Sequence, residues 1–166
     1  MSLDILTPKG QEAAAQQIEA MEIVFARSPE RSFIHMPDKE EQSRKPASPV
    51  DGWLVEGIYA VAVAEVKSRD YTYETLCGEY QCEWLVSMHK LTSMANVSRI
   101  FCVPGFGFLY LVPSRMVIGT QFTDDNGLIT CKYRTARTTT QATCNGGTAN
   151  RLNAFISMKN AKVYLA

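Results

Sequence analysis

Apolar positions change their period several times along the chain. Between Lys9 and Arg27, Ala14, Ile18, Met21 and Phe25 recur at the i, i+4, i+7, i+11 spacing of one helix face. Thr7 is placed to cap that helix, Pro8 suits its first turn, and Ser28-Pro29 ends it. Ser32 to Met36 reads as a short strand, and the polar, proline-interrupted stretch from Pro37 to Pro49 as a loop. A hairpin follows: Trp53-Leu54-Val55, a turn at Glu56-Gly57, then Ile58 to Lys67, apolar on both faces until Glu65. Tyr73 to Ala95 returns to helical spacing, with Leu76, Tyr80, Trp84, Ser87, Met88, Leu91 and Ala95 as its stripe. Ile100 to Pro104 and Phe106 to Val112 read as strands joined near Gly105, and Asp124 to Gly127 as a turn. Leu128 to Thr140 reads as a strand, Asn145-Gly146-Gly147 as a loop, and Leu152 to Ile156 and Lys162 to Leu165 as short strands. This order predicts an α/β fold, a central mixed β-sheet flanked by helices, in one domain.

Composition changes the picture little. The 166 residues are 46% hydrophobic and 20% charged, ordinary for one globular domain. Seventeen basic residues match 17 acidic ones. Any nucleic-acid surface must therefore gather its cations on one face or recruit a metal. Five cysteines without a C-x-x-C pair, and only two histidines (His35, His89), argue against structural zinc. They suit reduced, packed thiols in a cytoplasmic protein. The N-terminus lacks a secretory pattern, and the longest apolar run, Ile58 to Ala64, is far too short to span a bilayer, so no membrane partner is expected. The glycine-containing loops lack a nucleotide-binding pattern.

Two acids share the hairpin. Asp51 opens its first strand and Glu65 lies near the end of its second, so antiparallel pairing brings them together. Alternation puts Glu65 and Lys67 on one face, with Val66 opposite. Two carboxylates and the Val66 carbonyl supply hard oxygen donors for Mg²⁺ or Mn²⁺. Such a cation acidifies water and offsets charge developing on a phosphate, while Lys67 orients that water and stabilises the transition state.

The segments Pro49-Val50-Asp51-Gly52 and Ala64-Glu65-Val66-Lys67 resemble those of PD-(D/E)xK nucleases, the restriction-endonuclease-like superfamily. The usual Pro-Asp is loosened here to Pro-Val-Asp. The resemblance covers roughly residues 10–112 by motif and element order, with 113–166 as a β-rich extension. It implies an α-β-β-β-α-β core, metal-dependent hydrolysis of DNA phosphodiesters, a phage, mobile-element or bacterial setting, and a homodimer where two strands are cut. It also implies a glutamate from the first helix. Taking Ile18 as zero, Glu22 falls about 40° away at the margin of the apolar face, with Glu19 and Glu12 at about 100° and 120°. Glu22 is therefore preferred, with Glu19 second.

The second helix often adds a polar residue in such nucleases, and Gln81 and Lys90 are the candidates here, Lys90 as a phosphate contact. Arg69, Lys132 and Arg134 are candidate contacts to a nucleic-acid backbone. Phe106, Phe108 and Tyr110 alternate like core residues. The alternative to an enzyme is an inactive nucleic-acid-binding or structural domain of the same fold, in which Glu65 and Lys67 are only a surface ion pair.

Overall fold

The computed structural model describes residues 7–36, 48–139 and 150–166. The expected loops at Pro37 to Pro49 and Asn145 to Gly147 fall wholly or largely outside these residues, as does Cys144.

Helix α1 (Pro8–Phe25) begins as its sequence dictates, with Thr7 Oγ1 accepting from Gly10 N at 3.0 Å and proline in the first turn. Strands β1 (Arg31–His35), β2 (Gly52–Glu56) and β3 (Tyr59–Arg69) form an antiparallel meander. Gly57, at φ +61°, makes the tight turn between β2 and β3. Helix α2 (Tyr73–Gly78), strand β4 (Glu83–Ser87) and helix α3 (Met88–Phe101) lead to β5 (Gly105–Leu111), which lies parallel to β3. Strand β6 (Met116–Thr123) returns antiparallel beside β5; β7 (Tyr133–Thr139), β8 (Asn150–Ser157) and β9 (Lys162–Leu165) complete the chain. The result is a mixed six-stranded sheet, β1-β2-β3-β5-β6-β9, and a three-stranded antiparallel sheet, β4-β8-β7. The expected α/β architecture with a mixed sheet and flanking helices is present.

Alternation along β3 and β5 divides the core in two. Val63, Leu109 and Leu111 pack with Leu91, Met94 and Val97 of α3 and with Trp84, Ala154 and Ile156 of the smaller sheet. Ala62, Ala64, Val66, Phe108 and Tyr110 pack against Ala20, Met21 and Ile23 of α1. Glu65 and Lys67 share the strand face of Val63 and so point to the side of α3 and the smaller sheet.

The structure corrects several expectations. Tyr73 to Ala95 is not one helix. It stops at Gly78, turns through Gln81 and Cys82, both at φ +56°, and continues as β4 before α3 begins. Trp84 and Val86 are buried because they alternate on a strand, whereas Leu76 and Leu91 are buried from two separate helices. Cys77 and Cys82 form a disulfide across this turn rather than standing as reduced thiols. Ile100 and Phe101 end α3 instead of starting a strand, and Cys102 caps the helix at φ +52°. The strand expected from Leu128 begins only at Tyr133. Strand β6, for which no element was expected, joins the central sheet together with β9, so residues beyond 112 are not merely an appendage to it.

The buried stripe of α1 is also rotated from the expected one. Ile18 is 46% exposed, while Gly10, Ala20, Met21 and Ile23 are buried. Gln17, not Ile18, lies at the centre of the heptad Gly10, Ala13, Ala14, Gln17, Ala20, Met21 and Val24.

Candidate active site

The site forms where β2 stops and β3 goes on. The last pair of the β2–β3 ladder is Gly52 with Ala64, anchored by Asp51 N donating to Ala64 O at 3.0 Å. Beyond it, the edge of β3 is open at Val66, and side chains take over the role of a strand. Asp51 Oδ2 accepts from Val66 N at 2.8 Å. Gln17 Nε2 donates to Val66 O at 3.1 Å, and His35 Nε2 donates to Gln17 Oε1 at 2.7 Å. These bonds satisfy a part-buried backbone and fix where Asp51 points.

Its other carboxylate oxygen, Oδ1, faces Glu65. Lys90 Nζ lies between them, 3.2 Å from Asp51 Oδ1 and 3.0 Å from Glu65 Oε2. Both carboxylate side chains are only 11% exposed. Burial, then the charge of Asp51, lifts the Glu65 carboxyl from 4.5 to about 7, against the pull of Lys90 and Lys67. Burial depresses the Lys67 ammonium, and Arg69 adds to the effect, while Glu65 and Asp51 oppose it. Burial also works against the charge of Lys90, but Glu65 and Asp51 outweigh it and raise that ammonium above its usual value. Lys90 stands in the first turn of α3, capped by Ser87 Oγ, where a helix disfavours a cation; the two carboxylates hold it there.

The sequence-predicted residues divide sharply. Asp51, Glu65 and Lys67 come together, with Val66 between them in the chain. Lys90 is at their centre rather than solvated. Arg69, Gln81 and Arg134 line the same cleft, although Arg134 is engaged by Glu83 and lies 4.1 Å from the Phe155 ring centre. Glu22 and Glu12 are exposed and do not line the cleft, because the buried stripe of α1 faces away from them. Glu19 is turned to Arg115, with 3.1 Å between Oε1 and Nη2. Gln17 holds the position on α1 foreseen for a glutamate. Lys132 is exposed and not part of the cleft lining; Phe108 and Tyr110 are core.

Among the described residues, no three His, Cys, Asp or Glu side chains converge as a metal site. Two carboxylate oxygens do converge on one cationic point, now held by the Lys90 ammonium, and the adjacent Val66 carbonyl has a second lone pair. This donor set suits a hard divalent cation that keeps most of its water.

The cleft has a volume of about 940 Å³. The smaller sheet contributes Leu85, Arg151, Asn153 and Phe155, the N-terminal half of α1 contributes Gly10, Ala13 and Ala14, and the turn after α2 contributes Glu79, Tyr80 and Gln81. Sequence reading missed Gln17, Arg151 and the two tyrosines Tyr71 and Tyr80. Comparison of the chain with family models, with curated proteins and with solved structures finds no match.

Proposed function

We propose that this protein is a metal-dependent nuclease that hydrolyses DNA phosphodiesters at Asp51, Glu65 and Lys67. The observation that carries the reading is the convergence of two buried carboxylates on one cationic point, 3.2 and 3.0 Å away, with Lys67 on the strand face of Glu65. The element order supports it. With α2 and β4 set aside, the chain runs α1-β1-β2-β3-α3-β5, the order that the resemblance to PD-(D/E)xK nucleases implies. The restriction-endonuclease-like core is part of the same proposal.

Mg²⁺ or Mn²⁺ bound by Asp51, Glu65 and the Val66 carbonyl would supply Lewis acidity at the phosphate and to water. The residues of the chain do the rest. Asp51 is held by Val66 N, and the Val66 carbonyl by Gln17, so the donors are arranged before substrate arrives. Lys67 orients the attacking water and presents positive charge to the phosphoryl oxygens. Hydrolysis forms one bond from the water oxygen to phosphorus and breaks the bond to the leaving sugar oxygen. One water proton ends on that sugar oxygen and the other on the new terminal phosphate.

The Lys90 bridge favours a second reading, in which the ammonium permanently neutralises the carboxylates and the cleft binds nucleic acid without cutting it. Incubation of linear, circular and single-stranded DNA with Mg²⁺, Mn²⁺ or EDTA, using wild type and Lys67→Ala, separates the two. Metal-dependent cutting lost in the variant is expected. Intact DNA under every condition supports the second reading.

A further inference from the structure

The carboxylates proposed for catalysis are recessed in the cleft. Asp51 and Glu65 are nearly buried, and the space leading to them, about 940 Å³, is of the size that encloses a small ligand or a few linked residues. A base in a duplex keeps its faces in the stack, whereas a single strand can turn a base against a ring in the cleft wall.

The lining has the two features that bind single strands, an aromatic platform and cations along a backbone path. The rings of Tyr71 and Tyr80 lie 5.0 Å apart with 35° between their planes, and Tyr80 is 48% exposed. Arg69 and Lys67 flank one side. On the other, Arg151 is exposed on β8, and no ion pair ties its guanidinium to another described residue. Arg134 is occupied by Glu83 and Lys90 by the two carboxylates, which leaves Lys67, Arg151 and Arg69, the last also bonded to the Ser68 carbonyl at 3.0 Å and to the Tyr71 side chain, for phosphates.

We infer that the cleft takes single-stranded DNA, with its backbone between the Lys67–Arg69 side and Arg151 and a base against the Tyr71–Tyr80 pair. This rests on the proposed function for placing the phosphodiester to be cut at Asp51 and Glu65.

The test is fluorescence anisotropy in EDTA with a labelled mixed-sequence 12-mer (about 12 nucleotides, within the range of such sites), alone or annealed to its complement. The expected result is single-strand affinity at least about ten-fold above duplex affinity. Tyr80→Ala weakens it about ten-fold with an unchanged salt slope, as loss of one stacked base does. Arg151→Ala weakens it and lowers the salt slope by about 0.7, the value for one lost phosphate contact on a single strand. Both side chains are exposed, so the variants should retain the wild-type melting temperature, which is measured alongside.

Equal or tighter duplex binding, or both variants binding as wild type, overturns the inference. Duplex cleavage in Mg²⁺ without single-strand preference does so too, and leaves the nuclease reading standing. Single-strand binding that depends on Tyr80 and Arg151, with no cleavage under any metal condition, upholds the binding inference and rejects the nuclease reading.

Discussion

Replacing Glu65 by glutamine should make the metal-free protein more stable at pH 8 and leave it nearly unchanged at pH 4. Burial and the neighbouring Asp51 charge raise the folded-state value of Glu65 from 4.5 to about 7. An acid raised in this way binds its proton more tightly folded than unfolded. Its contribution to stability is therefore fully present below about pH 4.5 and is lost as pH rises through about 7. Linkage between these two values makes the loss small at pH 5 and on the order of 3 kcal/mol at pH 8. The difference between those pH values, on the order of 2 kcal/mol, corresponds to a shift of about 1 M in a urea midpoint. Urea unfolding in EDTA at pH 5, 6, 7 and 8 measures it, with Glu65→Gln as the reference. The variant keeps the same lysines, so their titration largely cancels in the comparison. A wild-type stability that falls relative to the variant across this range agrees with the reasoning. A constant difference would refute it, because Glu65 would then titrate as an ordinary carboxyl.

Three other outcomes are expected. Lys90→Met leaves two buried carboxylates facing each other, and should cost about 1–2 kcal/mol at pH 8 after discounting for the 35% exposure of the lysine; the same variant should bind Mn²⁺ more tightly by calorimetry, and unchanged affinity would mean that Lys90 does not compete for the carboxylates. Gln17→Ala removes the donor to Val66 O and the acceptor of His35 Nε2, costing about 1–2 kcal/mol in urea unfolding and lowering any metal-dependent cleavage, while Glu22→Ala should change neither. Gly107→Ala drives a methyl group into the ring of Phe122, which covers that glycine on β5, and should lower stability by about 1–3 kcal/mol in a thermal or urea melt.

The hairpin was readable because its signals are local. An acid opening one strand and a strand ending in Glu65-Val66-Lys67 need only antiparallel pairing to meet, and the ladder ending at Gly52 and Ala64 supplies it. The helical arm of the site was harder to read. In α1 the small residues Gly10, Ala13 and Ala14, which mark the covered face, carry less weight in a hydrophobic pattern than Ile18, so the expected stripe lies about 70° from the true centre at Gln17. That error brought Glu22 toward the site and hid Gln17. A second signal was lost at Ser87. Read as mid-helix, it leaves Lys90 on an ordinary solvated face; read as the N-cap it is, it puts Lys90 in a first turn, where a cation needs acids nearby. The smaller sheet, which carries Arg151, depends on pairing between Trp84 and Ile156, 72 residues apart, and no local pattern reports that.

The two lysines have different parts in the charge balance. Asp51, Glu65, Lys67 and Lys90 sum to zero when all are ionised; the raised Glu65 carboxyl shifts that balance toward positive charge and the depressed Lys67 ammonium toward negative. On the proposed reading, an anionic phosphodiester meets a site whose acids are offset by Lys67 and Lys90. Lys67 gains little by moving, since its strand fixes it beside Glu65. Lys90 is different. Its side chain is 35% exposed, it reaches both carboxylates from a helix end that disfavours it, and any cation that Asp51 and Glu65 hold takes away its partners. On the proposed reading, the nearest compensation is then a phosphate of the bound strand. If cation and substrate bind as proposed, they favour each other through Lys90, and by linkage each raises the affinity of the other to the same extent.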